Sequence, residues 1–218
     1  MPLLPEQFAG WHDGWLTVPP DQIPITALQD AKNLMIKRPI LVRVRPGQIK
    51  DTTSEIEANE RPRSMFRYYK PGGNKYFLVH VNTTLYEYNL TTHIATSKDT
   101  TVGTTPMTFA QFKGKAFYAN GVIRDTDGTT YQDTTNAPAC KFITAKAEKY
   151  GGRLFAAGDA TSGQEDFIHI SNSLDETTWA AGNIIKLGGK DVTRQCLATG
   201  PAHVVVPCSK TVWAVVGY

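Results

Sequence analysis

The chain has 218 residues, 41% of them apolar and 20% charged, and a formal net charge of +3 at pH 7. That balance suits a folded chain able to bury a core without covalent staples, and it is too weakly basic to argue for a nucleic-acid binder by itself. Three cysteines, Cys140, Cys196 and Cys208, lack metal-ligand spacing and cannot all pair with one another, so they read as reduced thiols rather than a disulfide framework.

The amino-terminal run MPLLPEQFAGWHDG has no basic start leading into an apolar run, so it does not read as a signal peptide. No stretch approaches the ~20 apolar residues of a membrane span. Residues 1 to about 60 are punctuated by Pro2, Pro5, Pro19, Pro20, Pro24, Pro39 and Pro46. Each fixes φ and removes a donor, which predicts an extended arm rather than an independent domain. One short helix is expected within it, capped by Thr26 with Gln29 as reciprocal partner, and with Leu28, Ala31 and Met35 on one side. Ile40 to Arg45 alternates as a strand, and Pro46-Gly47 ends it.

From about residue 61 to 218 the pattern is all-β. Strands are predicted over 64–69, 76–82, 84–89, 107–112, 115–120, 141–147, 153–157, 167–171, 203–207 and 211–216. Asn82-Thr83 and Pro207 to Lys210 read as hairpin connections, Asp125 to Gly128 as a turn, and 174–180 as a single turn around Asp175.

The stretch KYFLVHVNTTLYEYN has counterparts in KAFYANGVIRDTDG, RLFAAGDATSGQEDFIHIS and HVVVPCSKTVWAVV. Phe77 and Phe117 are 40 positions apart, and Phe117 and Phe155 are 38. Propeller blades repeat at roughly 40 to 50 residues, because one small twisted sheet cannot cover both its faces. The spacing predicts about four antiparallel propeller-type blades in a complete or incomplete ring, with a sandwich as the alternative. Trp179 and Trp213 fall where such packing would bury them.

The basic residues Lys37, Arg38, Arg43, Arg45, Lys50, Arg61, Arg63, Arg67 and Lys70 cluster, and read as a solvated region interspersed with Glu55, Glu57 and Glu60. Trp11, Trp15, Arg43 and Arg45 are the candidate interface residues of the arm, since buried aromatics and arginines dominate interface energetics. The two tryptophans are equally compatible with folding back on their own domain.

No chemistry emerges from motifs. There is no Gly-x-Ser-x-Gly elbow. His12, His80, His93, His169 and His203 are scattered, and those in apolar strands read as structural. GGKDVT lacks a phosphate loop's upstream glycine and its Lys-Ser/Thr pair. DTDG is similar to the start of a calcium loop but lacks the later ligands. Glu165 and Asp166 are adjacent, so a strand would point them apart. Asn82-Thr-Thr and Asn89-Leu-Thr match glycosylation acceptors by chance. No catalytic residue, metal or cofactor is expected.

The run YGGRLFAAGDATSGQEDFIHISNSLDETTW resembles β-propeller virion proteins of tailed bacteriophages through Gly152, Arg153, Leu154, Ser171, Asp175 and Trp179. Upstream, ALQDAKNLMI, VRVRPG and FRYYKPGGNKYFLVHVNTTLYEYN resemble the amino-terminal part of tail hub and nozzle proteins of short-tailed phages. Those proteins are usually much longer. The resemblance implies a structural virion protein of the tail, assembled in the host cytoplasm. Copies would form a ring around the DNA channel, docked to a portal or adaptor, with fibres or spikes outside and the arm reaching a neighbour. A receptor- or glycan-binding propeller is the alternative. A sialidase is rejected, because SNSLDETTW lacks the glycine of the Asp-box pattern.

Overall fold

The computed structural model describes residues 34–38, 41–44, 55–73, 75–146, 151–188, 197–200 and 203–216, the first two segments as backbone alone. The chain divides into two units, Met1–Lys50 and Asp51–Tyr218. All described regular structure is β, and every strand pairing is antiparallel.

In the first unit, β1 (Leu34–Arg38) pairs with β2 (Leu41–Val44), placing Met35 opposite Arg43 and Ile36 opposite Val42. The strand expected over Ile40–Arg45 is therefore present. Met35, expected on the apolar side of a helix, is in β1 instead. The β-branched alternation of β2 gives this segment a ladder partner, and pairing overrides local helix propensity. The rest of that helix lies outside the described residues.

The second unit holds four meanders. Sheet I is β3 (Pro62–Tyr69), β4 (Lys75–Val81), β5 (Thr84–Asn89) and β6 (Ile94–Asp99). Sheet II is β7 (Thr108–Phe112), β8 (Lys115–Ala119), β9 (Ile123–Thr126) and β10 (Tyr131–Asp133). Sheet III is β11 (Cys140–Lys146), β12 (Arg153–Asp159), β13 (Phe167–Ile170) and β14 (Ile184–Lys186). Sheet IV is β15 (Ala198–Thr199), β16 (His203–Pro207) and β17 (Val212–Val216). In each, spatial order follows chain order. Tight turns fix the registers: Lys113 and Gly114, with φ of 49° and 75°, join β7 to β8, and Asn82, with φ of 51°, opens the link from β4 to β5.

Side-chain alternation explains the stacking. In β8, Ala116 and Tyr118 pack with Tyr68, Leu78 and Leu85 of sheet I, whereas Phe117 and Ala119 pack with Ile143, Leu154 and Ala156 of sheet III. In β12, Leu154 and Ala156 join that second cluster, while Phe155 and Ala157 pack with Val204, Val206 and Val215 of sheet IV. Short continuous apolar runs such as KAFYA and RLFAA are what a strand covered on both faces requires. Each large side chain so buried stabilises by about 1.5–3 kcal/mol. The sheets thus stack in chain order, I to IV.

The first strands of successive sheets approach one another: β3 lies by β7, β7 by β11, and β11 by β15. Thr108 in β7 accepts from the Ile143 amide of β11 at 2.9 Å. Tyr68 in β3 donates to the Gly114 carbonyl at 2.8 Å.

The sequence repeat corresponds to the second and third strands of each sheet. Its phasing in sheet I is one residue off. Phe77 packs on the outer cluster of sheet I with Val79, Val81 and Tyr88, and Leu78 is the residue that faces sheet II as Phe117 faces sheet III. Because strand side chains alternate, a one-residue slip in alignment reverses the face.

Candidate functional site

The run carrying the phage-protein resemblance folds into a lock on sheet III. Arg153 opens β12 and its Nη1 donates to the Ser171 carbonyl at 2.8 Å. The buried Ser171 Oγ accepts from the Leu154 amide at 2.9 Å and donates to the Asn172 carbonyl at 3.1 Å. The Leu174 amide donates to the Gly152 carbonyl at 2.8 Å, and the Asn172 amide to the Thr178 carbonyl at 2.9 Å. Asp175 Oδ1 accepts from the Thr177 amide and hydroxyl, at 2.9 and 2.8 Å. Hydrogen bonds, led by that of the Thr178 side chain, hold this carboxyl down at about 2. A turn around Asp175 is therefore present, as the sequence predicts.

Trp179 closes the lock. Its Nε1 donates to the Glu176 carbonyl at 3.0 Å, and its ring packs half-buried against the cluster between sheets II and III. Glu176 carries the lock across to sheet II. Its carboxylate meets Lys113 Nζ at 3.0 Å and Lys115 Nζ at 3.2 Å, and Lys115 also reaches Asp125 at 3.6 Å. Burial alone would raise the Glu176 carboxyl, but backbone and lysine hydrogen bonds outweigh it and the net shift is downward. The lock ties two sheets together, with these groups committed to partners within the chain.

A second constellation sits at one end of sheet III. Cys140 opens β11, Asp159 ends β12 directly opposite it, and His169 lies in the adjoining β13. Their exposures are 0%, 6% and 9%. His169 Nε2 is 2.8 Å from Asp159 Oδ2. Asp159 Oδ1 accepts from the Thr161 amide at 2.8 Å. The thiol sulfur, an imidazole nitrogen and a carboxylate oxygen all lie within 4.8 Å of one another. Burial, then the Asp159 charge, pushes the Cys140 thiol well above the usual thiol range.

Gly158 sets this geometry. Strand alternation from Ala157, which faces sheet IV, would put Asp159 on that same side. Gly158 takes φ of +72°, and Asp159 meets His169, whose register partner Ala156 packs toward sheet II. A side chain at 158 would also approach the Phe142 ring to 2.8 Å. Among the described residues this trio is the group with metal-ligating atoms so close together. Its members are 19 and 10 positions apart, a spacing that sequence alone does not flag.

The other sequence candidates fall as follows. Trp11, Trp15 and Arg45 lie outside the described residues, and Arg43 sits in β2 opposite Met35. His80 is buried, with Nε2 2.9 Å from both the Asn82 and Gly103 carbonyls, a structural role as expected. Asp125 is a buried strand residue bonded by the Thr134 hydroxyl at 3.0 Å, whereas Asp127 accepts from the Thr129 and Thr130 amides, so DTDG is a strand end and turn. Glu165 and Asp166 accept from the Gly163 and Gly188 amides respectively, and both serve turns. Trp213, expected to be buried, is 41% exposed, beside Val212 at 71% and Val216 at 66%. These residues lie on β17, and no described strand pairs with its outer edge.

Comparison with models of known protein families and with curated proteins gives no match.

Proposed function

We propose that the chain is a structural subunit of a bacteriophage tail, of the hub or nozzle kind, in which sheets I to IV are successive propeller-type blades. Copies form a ring around the DNA channel, contact a portal or adaptor on one side and fibre or spike proteins outside, and do no catalysis. One observation carries this reading. The residues of the phage-protein resemblance, from Gly152 to Trp179, are engaged in a hydrogen-bonded lock that staples sheet III to sheet II.

Stiffness is what such a wall needs. Sheets II and III are covered on both faces, and bonds such as Tyr68 to Gly114 and Thr108 to Ile143 fix neighbouring sheets to each other. The proximity of successive first strands, each opening its own meander, supports reading the sheets as blades about an axis. A net charge of only +3 suits a passage through which DNA slides, because each neutralised phosphate would add to retention.

The test is immuno-gold electron microscopy of phage particles from the source, using antibody raised against the purified chain. Label confined to the tail is expected. Particles free of the chain by both labelling and mass spectrometry would overturn the proposal.

A further inference from the structure

We propose that Cys140, Asp159 and His169 form a Zn²⁺ site at the end of sheet III. The donors are one sulfur, one imidazole nitrogen and one carboxylate oxygen, the set that zinc accepts in tetrahedral sites. They come from three adjacent strands, so the scaffold and not a loop sets their spacing. Ligands around a tetrahedral zinc stand about 3.5 Å apart, as follows from bond lengths of about 2.0–2.3 Å. The 2.8 Å Asp159–His169 contact must open slightly, and the other pairs, all within 4.8 Å, must close by at most about 1.3 Å.

Charge favours occupancy. A buried carboxylate needs a compensating positive charge or donors. With zinc bound, the thiol loses its proton to solvent, and the imidazole proton moves from Nε2 to Nδ1 so that Nε2 can ligate. Two positive charges then meet one thiolate and one carboxylate, and the buried site is neutral. The Thr161 amide already fixes the other carboxylate oxygen, the kind of outer contact that orients metal ligands. Gly158 delivers Asp159 to the face of His169. Three protein ligands leave a fourth position for water. The site holds sheet III together and is independent of any role in a tail.

The experiment titrates the metal-depleted full chain with Co²⁺ alone, followed by Zn²⁺. One equivalent of Co²⁺ is expected to produce a thiolate-to-cobalt charge-transfer band that Zn²⁺ abolishes, and Zn²⁺ is expected to raise the melting temperature. Cys196→Ser and Cys208→Ser should keep the band, and Cys140→Ser should lose it. His169→Gln and Asp159→Asn should weaken Zn²⁺ binding by about tenfold or more. If Cys140→Ser does not fold, the other two cysteine variants assign the thiolate by elimination. A folded wild-type chain that shows no band, or a band lost with Cys196 or Cys208, overturns the proposal.

Discussion

The Tyr118 hydroxyl donates to Asp99 Oδ2 at 3.0 Å, tying the second strand of sheet II to the last strand of sheet I. The Tyr131 hydroxyl, in the last strand of sheet II, donates to Glu87 in the third strand of sheet I at 2.9 Å. Carboxylates on one sheet thus accept from phenols on the next, and Asp99 also meets Arg124 of sheet II at 3.7 Å. Tyr118→Phe keeps the ring packing and removes only the donor. Leaving a largely buried carboxylate short of a partner costs about 1–3 kcal/mol. The urea midpoint should fall accordingly with the slope unchanged, and a change under about 0.5 kcal/mol would show that the bond contributes nothing.

The same contacts set the alkaline limit of stability. Burial first, then Asp127 and Glu87, pushes Tyr68 up to about 12. Burial and then Asp99 raises Tyr118 further, and burial and then Glu87 does the same for Tyr131. These folded-state values lie above the unfolded value of 10.0, so the folded chain holds more protons above pH 10. The stability contribution is full below pH 10 and is lost as pH rises through 10 toward 12 and beyond. Phenolate absorbance should show these three tyrosines titrating late, in step with loss of structure. Titration of all nine tyrosines near pH 10 in a still-folded chain would contradict the assignment.

Gly158 combines a left-handed φ of +72° with a close approach to Phe142. Gly158→Ala meets both penalties and should destabilise by about 2–4 kcal/mol. Gly182 provides the control, since its backbone is not left-handed and a methyl group there meets nothing within 4 Å. Gly182→Ala should be neutral or stabilising by about 0.4–1 kcal/mol. Equal effects in the two variants by chemical denaturation would remove the special role of Gly158.

Most of the fold is legible in the sequence where strands are covered on both faces. β4, β8, β12 and β16 announce themselves as apolar runs, and their predicted ends fall within two residues of the observed ones. Two of the strands absent from the prediction are β1, whose Met35 is expected on a helix, and β9, an interior strand of sheet II whose Asp125 and Thr126 read as a turn because Asp-Thr-Asp-Gly carries turn chemistry. The other absent strands are the short or polar ones. β6 (IATSKD), β10 (YQD), β14 (IIK) and β15 (AT) lie at sheet edges, where one face or one ladder is open and composition carries little signal. The register slip between Phe77 and Leu78 arose because an aromatic match outweighed facing, which only the stacked partner decides. Trp213 shows the same limit, since burial depends on what lies across the sheet. The Cys140, Asp159 and His169 cluster was invisible because cross-strand register and a single left-handed glycine assemble it, and no spacing rule encodes either.

The central claim is that four stacked meanders form the blades of a tail subunit arranged in a ring. Cryo-electron microscopy of intact particles tests it most directly. The account predicts a symmetric ring of copies in the tail surrounding the DNA passage, each copy showing sheets I to IV fanned with their first strands converging. Tail density that accommodates no such copies, or a chain recovered only as a free monomer outside the particle, would contradict it.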